Sequence, residues 1–171
     1  MALAPAVRKL ALTTHVTTSV GWLGAVVAFL ALAVAGLTSQ DGQTVRAAYL
    51  SMEALGRYVL VPLAAASLFS GLVQSLGSSW GLFRHYWVLT KLLMTVFATV
   101  VLLAYLRTLG YLADVATSGN GEGVLPSPSP VLHSGAALVV LLVAAVLSVY
   151  KPRGVTAYGQ RKQRQASAQS Q

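Results

Sequence analysis

Four long apolar stretches constrain the fold of this chain more than any other feature of its sequence. A helix needs about 20 mostly apolar residues to cross the roughly 30 Å hydrocarbon core of a bilayer. Runs of this kind lie near residues 10–37, 58–76, 86–106 and 131–150. Each should be helical, because an open strand in lipid would leave backbone groups without hydrogen-bond partners. The sequence therefore predicts an all-α integral membrane four-helix bundle over residues 1–150.

Charged residues make up only 9% of the 171 residues, against about a quarter in soluble domains. Lys and Arg accumulate in short loops on the cytoplasmic side of a membrane. Eight of the 12 fall on the side that holds both termini: Arg8, Lys9, Arg84, Lys151, Arg153, Arg161, Lys162 and Arg164. The opposite side carries three, and it carries all four acids: Arg46, Arg57, Arg107, Asp41, Glu53, Asp114 and Glu122. We therefore expect both termini in the cytoplasm, and the net charge of +8 gives no reason to expect a nucleic-acid partner.

The two ends of the chain need separate interpretations. Arg8, Lys9 and the small residues of Ala31–Gly36 could belong to a cleaved secretory signal. The apolar run of about 28 residues favours a retained span, since the core of a signal is about 7 to 15 residues long. Residues 151–171 are rich in Gln, Ser, Lys and Arg, so we expect a basic, disordered cytoplasmic tail.

Three polar side chains are predicted to converge in the cytoplasmic half of the bundle. His15 lies six residues beyond Lys9, which is about 9 Å along the first helix. Gln74 lies near the end of the second span, and Lys91 lies near the start of the third, which runs the other way. All three should therefore lie at a similar depth and line a polar pocket, with His85 near its mouth. An imidazole can ligate a metal or haem iron, and an ammonium can pair with a carboxylate or propionate.

Each of these residues also has a structural interpretation, and the sequence leaves both open. Lys91 can extend its four-carbon stem towards the cytoplasmic headgroups, and His15 can hydrogen-bond to a neighbouring helix. His85 lies among aromatic residues typical of an interfacial anchor. His133 begins the fourth span on the opposite side, about 20 Å or more from His15. The chain has no cysteine, so any redox role needs a bound cofactor.

Four motifs carry a resemblance to a family. They are HVTTSVGWLG at residues 15–24, SGLVQ at 70–74, WGLFRHYWVLTKLL at 80–93 and SVYKPRG at 148–154. Over nearly the whole chain, the sequence resembles a group of uncharacterised bacterial, actinobacterial-type predicted integral membrane proteins with four helices. The resemblance implies a multi-pass protein of the bacterial inner (plasma) membrane and brings no established activity with it.

Two of the motifs are also similar to copper-resistance protein D and to the HemJ-type protoporphyrinogen oxidase. The HemJ type binds haem b through a helical histidine and depends on a lysine in a following helix. By motif, these residues correspond to His15 and Lys91. The resemblance therefore implies haem b as the cofactor and His15 as the metal ligand. The chain departs from the HemJ pattern at Val26–Ala35, which is aliphatic apart from Phe29.

The leading hypothesis is a small membrane protein whose pocket of His15, Gln74, Lys91 and His85 binds haem b or a related small ligand. A second hypothesis is a non-catalytic scaffold or accessory subunit that binds another membrane protein through faces of small residues. A third is a small transporter, which with only four helices would have to form a homo-oligomer. The chain contains no phosphate-binding loop and no paired carboxylates within a span, which argues against an ATPase or a carboxylate-driven exchanger.

Overall fold

A computed structural model describes residues 4–77, 82–118, 126–152 and 154–169. Its helices are α1 Pro5–Thr38, α2 Gly42–Leu55, α3 Val61–Leu76, α4 Tyr86–Ser118, α5 Ser129–Tyr150 and α6 Ala157–Gln169. Four helical units among the described residues are long and apolar enough to cross a membrane: α1, α2 together with α3, α4, and α5. The predicted all-α architecture is confirmed for the described residues, and it contains the expected four helical units of membrane-spanning length and apolar composition. Four residues of the sequence motifs and of the charge pattern lie outside the described residues: Trp80, Gly81, Glu122 and Arg153.

The spans pack as a square with alternating directions. Within the described residues, α1 packs against α3 and α5, and α4 packs against the same two helices. The two diagonal pairs, α1 with α4 and α3 with α5, do not approach each other directly. The starts of α1 and α4 and the ends of α3 and α5 therefore lie at one end of the bundle, which we call the terminal end. We call the opposite end the loop end.

The tightly packed core lies in the loop half of the bundle. The buried residues of α1 lie between Trp22 and Gly36, and those of α4, except Val88, lie between Tyr105 and Ala116. Here α2 inserts between α1 and α4. Its buried residues recur at helical spacing: Val45, Ala48, Tyr49 and Met52. The loop half thus has an extra helix to fill its centre, and none of the described residues forms such a helix inside the terminal half.

A π-helical turn, Gly56–Leu60, connects α2 to α3 without breaking the helix. Pro62 follows this turn closely, and inside an α-helix a proline ring clashes with the carbonyl four residues earlier. In the wider turn, the Val61 N–H donates to the Gly56 carbonyl, five residues back. Because the π-helical turn is wider by one residue than an α-helical turn, the helix accommodates Pro62 without breaking. A single continuous helix therefore contains both α2 and α3.

The tail after α5, for which the composition predicts disorder, begins with contacts to the α3–α4 connection and carries α6. Val155 forms a single antiparallel bridge with His85, and the Thr156 N–H donates to the Arg84 carbonyl at 2.9 Å. The hydroxyl of Thr156 then caps α6 by accepting the Gly159 N–H at 3.1 Å. We call residues 154–156 the strap.

Gly159 is required by the close approach of α6 to the α3–α4 connection. A Cβ at this position would lie 2.6 Å from the Arg84 carbonyl oxygen and 2.6 Å from Val155 Cγ1. The remaining residues of α6 are largely Ala, Gln, Lys and Arg, which are good helix formers. A low content of apolar residues therefore did not exclude a helix here, because the cap and the strap hold its first turn in place.

Candidate functional site

A cavity of about 500 Å³, which we call the central cavity, lies between the four spans in the terminal half. It exists because the two diagonal helix pairs face each other without contact. Its surface is mostly apolar, and its volume is within the range of about 300–1,000 Å³ usual for small-molecule sites. Every span contributes polar lining residues: His15, Ser19, Ser67, Gln74, Ser75, Lys91, Thr95 and Ser148, with Lys151 just beyond α5.

The imidazole of His15 is held against α3 through one ring nitrogen. Nδ1 lies 3.1 Å from the Ser67 carbonyl oxygen and 3.2 Å from Ser70 Oγ. A carbonyl oxygen only accepts hydrogen bonds, so the bond to Ser67 requires the proton on Nδ1. Nε2 then carries the lone pair, and it has no hydrogen-bond partner among the described residues. Metal-binding histidines are oriented in this same way, by donating their other N–H to a carbonyl.

The position of the imidazole depends on a glycine in α3. A Cβ on Gly71 would lie 3.0 Å from Cε1 of His15 and 3.3 Å from its Nδ1. One turn along α1, Ser19 Oγ lies 2.7 Å from Ser67 Oγ. Together these contacts fix α1 against α3 and set the orientation of the ring beside the central cavity.

The ammonium of Lys91 crosses from α4 to α5. Its Nζ donates to Ser148 Oγ at 2.8 Å, and the Ser148 hydroxyl donates to the Ala144 carbonyl at 2.9 Å. Ser148 is neutral, and neither Asp nor Glu is found among the described residues that line the central cavity. Half-buried Lys91 therefore has a hydrogen-bond acceptor but no opposite charge in the cavity lining.

The structure brings together three of the four residues selected from the sequence. His15, Gln74 and Lys91 all line the central cavity. Gln74 is half-buried, and its amide makes no hydrogen bond within the described part of the chain. His85 does not belong to the lining; it lies at the bridge to Val155, where the strap crosses the terminal end.

His133 lies in the loop half, far from this group. Its Nδ1 is 2.9 Å from the Ser129 carbonyl oxygen, and its ring stacks on Tyr105 with centroids 4.0 Å apart. Both rings line a smaller apolar cavity of about 120 Å³. Trp22 lines this cavity and the central cavity, so its buried indole lies between the two.

Among the polar lining residues that were not selected from the sequence, two lie at the end of α5: Ser148 and Lys151. In the sequence, both residues belong to the SVYKPRG motif, and Lys151 also counts among the charges of the cytoplasmic side. Lys151 is the one described non-glycine residue with positive φ, at 43°, a conformation that costs about 1 kcal/mol or more. Pro152 favours this break, because a residue before proline is disfavoured in the α-helical region. Depth in the membrane could have identified both residues from the sequence, because α5 ends at the level where α4 begins.

Comparison of the chain with protein-family models, with curated proteins and with solved structures found no match. The chemistry of the central cavity is therefore the basis for the functional proposal.

Proposed function

We propose that this protein binds a small amphipathic ligand in the central cavity and that the ligand is haem b. The observation that carries the proposal is the hydrogen bonding of the His15 ring, which fixes the nitrogen that holds the proton. Its Nδ1–H is bound to the Ser67 carbonyl, so the lone pair of Nε2 is available beside an apolar cavity. A proximal histidine of this kind is the usual ligand of haem iron.

The rest of the lining suits a macrocycle with acidic substituents. Apolar side chains from all four spans provide the walls. Lys91 and Gln74 offer hydrogen-bond donors that a propionate can accept. A bare metal ion is a poorer fit, because the described residues bring together no group of three His, Asp or Glu side chains. Bound haem would supply redox-active iron, while His15 would orient it and the cavity walls would exclude water.

The proposal includes an orientation and a compartment. The terminal end carries the basic positions Arg8, Lys9, Arg84 and Lys151 and the basic helix α6, whereas Asp41 and Glu53 lie at the loop end. By the preference of Lys and Arg for the cytoplasmic side, the terminal end faces the cytoplasm. The resemblance of the sequence motifs to bacterial membrane proteins supports the inner membrane of a bacterium as the compartment. The central cavity would then open towards the cytoplasm.

Titration of the purified protein with haemin in a neutral detergent tests the haem assignment. We expect a shifted Soret band that saturates at one haem per chain. His15→Ala should abolish this shift. His133→Ala is the matched control, because its Nδ1 also bonds to a backbone carbonyl but in the other half of the bundle, and it should bind haemin like the wild type. Equal binding by the wild type and His15→Ala, or no binding by either, contradicts the assignment.

A further inference from the structure

We infer that the smaller cavity in the loop half is a second binding site, which takes a single aromatic ring that carries a hydroxyl group. We call it the loop cavity; it lies between α1, α4 and α5, with Trp22, Tyr105 and His133 in its wall. The inference goes beyond the proposed function, because it concerns another cavity and needs no haem. The juxtaposition that supports it is an apolar cavity of ring size with hydrogen-bond acceptors at one end.

The loop cavity has room for one small ring. Its volume is about 120 Å³, and an apolar cavity of about 150 Å³ engineered into another protein stays dry and binds benzene. Nearly all of the lining is apolar, so a water molecule would find few of the hydrogen-bond partners that it needs. The loop cavity therefore favours a ligand with an apolar body over water or an ion.

The walls favour an aromatic body over an alkyl chain. Rings that pack edge-to-face or with an offset gain more than the burial of their area alone provides. Phe97 is 64% exposed on the outer face of α4, so the loop cavity opens sideways and a ligand can enter it from the bilayer. Five of the lining residues carry rings: Trp22, Phe29, Phe97, Tyr105 and His133.

The polar groups of His133 and Ser134 lie at the loop end of this cavity and act as acceptors. The Nδ1–H of His133 donates to the Ser129 carbonyl at 2.9 Å, so in the neutral ring Nε2 carries the lone pair. This Nε2 makes no hydrogen bond within the described ranges of the chain. The buried Ser134 hydroxyl donates to the Pro130 carbonyl at 2.6 Å, which leaves its oxygen only the capacity to accept.

Tyr105 holds the imidazole at the cavity wall. Its ring stacks on His133 with centroids 4.0 Å apart, and its hydroxyl is paired with Ser129 Oγ at 3.0 Å. A ligand must therefore bring the donor for His133 Nε2. A hydroxyl on an aromatic ring supplies that donor, whereas an ether or a ketone on the same ring does not. A free phenol and the ring of a quinol lipid share this chemistry.

Three fluorinated rings test the requirement for a donor. The purified full chain is titrated in a neutral detergent at about pH 8, where an imidazole is ordinarily neutral, with fluorine NMR as the readout. We expect 4-fluorophenol to saturate at one molecule per chain and to bind about fivefold more tightly than 4-fluoroanisole or fluorobenzene, which is the effect of one neutral hydrogen bond. Displacement of 4-fluorophenol by 4-decylphenol indicates a lipid-borne ring, and a lack of displacement indicates a free phenol.

Substitutions assign this binding to the loop cavity. His133→Phe keeps a ring beside Tyr105 but removes the acceptor, so 4-fluorophenol should bind only as well as 4-fluoroanisole. Unchanged binding of fluorobenzene by this variant shows that the cavity has kept its shape. Ala137→Leu fills the cavity and should abolish the binding of all three compounds. Ala104→Leu is its control, because Ala104 is exposed and lines neither cavity.

A further variant separates the two cavities. His15→Ala removes the imidazole of the central cavity and should leave the affinity for 4-fluorophenol unchanged. An equal loss of affinity in His15→Ala and His133→Phe would move the ring to the central cavity and overturn the inference. Equal affinities for the three compounds, or the absence of saturable binding by any of them, would overturn it as well, and none of these results depends on whether haem binds at His15.

Discussion

At the scale of single residues, the orientation and the protonated nitrogen of the His15 imidazole are set by its neighbours more than by its position in the sequence. Its depth could be predicted from the distance to Lys9, and the same reasoning placed Gln74 and Lys91 beside it. The protonated nitrogen could not be predicted, because it depends on the Ser67 carbonyl, which is 52 residues away in the chain. Long-range contacts of this kind have no signature in local spacing.

Gly71 provides a test of this local geometry. In Gly71→Ala, the new Cβ would lie 3.0 Å from His15 Cε1, so the ring must shift by a few tenths of an ångström. Disturbing the groups that orient a metal-binding side chain typically costs about 10- to 100-fold in metal affinity, so we expect haemin to bind about tenfold more weakly. Haemin titration monitored at the Soret band measures this change.

Gly24→Ala is the matched control for that substitution. Apart from its chain neighbours and the adjacent backbone of α1, no heavy atom of the described residues lies within 4 Å of a Cβ built at Gly24. The affinity for haemin should therefore stay at the wild-type value. Equal affinities in Gly71→Ala and the wild type would show that haemin binding does not depend on the packing of the His15 imidazole against α3.

At the scale of elements, the beginning of α2 is fixed by Asp41. Its carboxylate accepts hydrogen bonds from the Thr44 hydroxyl at 2.7 Å, the Thr44 N–H at 3.0 Å and the Gln43 N–H at 3.3 Å. These bonds, the one from the Thr44 hydroxyl most strongly, lower the pKa of the Asp41 carboxyl below its ordinary value of 3.8. The cap thus depends on the ionised carboxylate.

This lowered pKa predicts how stability changes in acid. Because the folded protein favours the carboxylate, the contribution of Asp41 is complete above the unfolded pKa and is lost as the pH falls through the lowered folded pKa. Asp41→Asn keeps an acceptor oxygen but does not titrate. The unfolding temperature of the wild type should therefore fall more steeply than that of Asp41→Asn as the pH falls below the ordinary carboxyl value of 3.8. Parallel pH profiles would contradict this role of the carboxylate.

Some of the helices could be predicted from sequence patterns alone, and α6 could not. The long apolar runs of α1 and α5 predict helices on their own, because lipid excludes other backbone structures. The helix α6 could not be predicted from its polar composition, since its order begins with Thr156 and Gly159 packed on residues that lie more than 70 positions earlier. The polar composition of α6 indicates that the segment lacks an apolar core, but it does not reveal the contacts of Thr156 and Gly159 that hold the helix.

At the scale of the whole molecule, the bundle is packed in its loop half and hollow in its terminal half. Four apolar spans predict a bundle, but they do not predict that α2 fills only one half of it. The filled half explains stability, because the buried core lies there. The polar side chains of His15 and Lys91 lie in the hollow half, where they line the central cavity.

The orientation of the molecule can be tested with reporter fusions. Alkaline phosphatase, which is active only outside the cytoplasm, would be joined after α6 in one fusion and after Ser118 in another. With the terminal end in the cytoplasm, the first fusion should be inactive and the second active, because the basic residues gather at the terminal end. The reverse pattern would place the mouth of the central cavity on the outer face.

The most direct test of the central claim is the absorbance spectrum of the wild-type protein purified from cells that are supplied with a haem precursor. The account predicts a Soret band that co-purifies with the chain, changes on reduction with dithionite, and is missing from His15→Ala purified in the same way. A wild-type protein that is folded and stable but has no Soret band, or a band of equal intensity in His15→Ala, would contradict haem binding at His15.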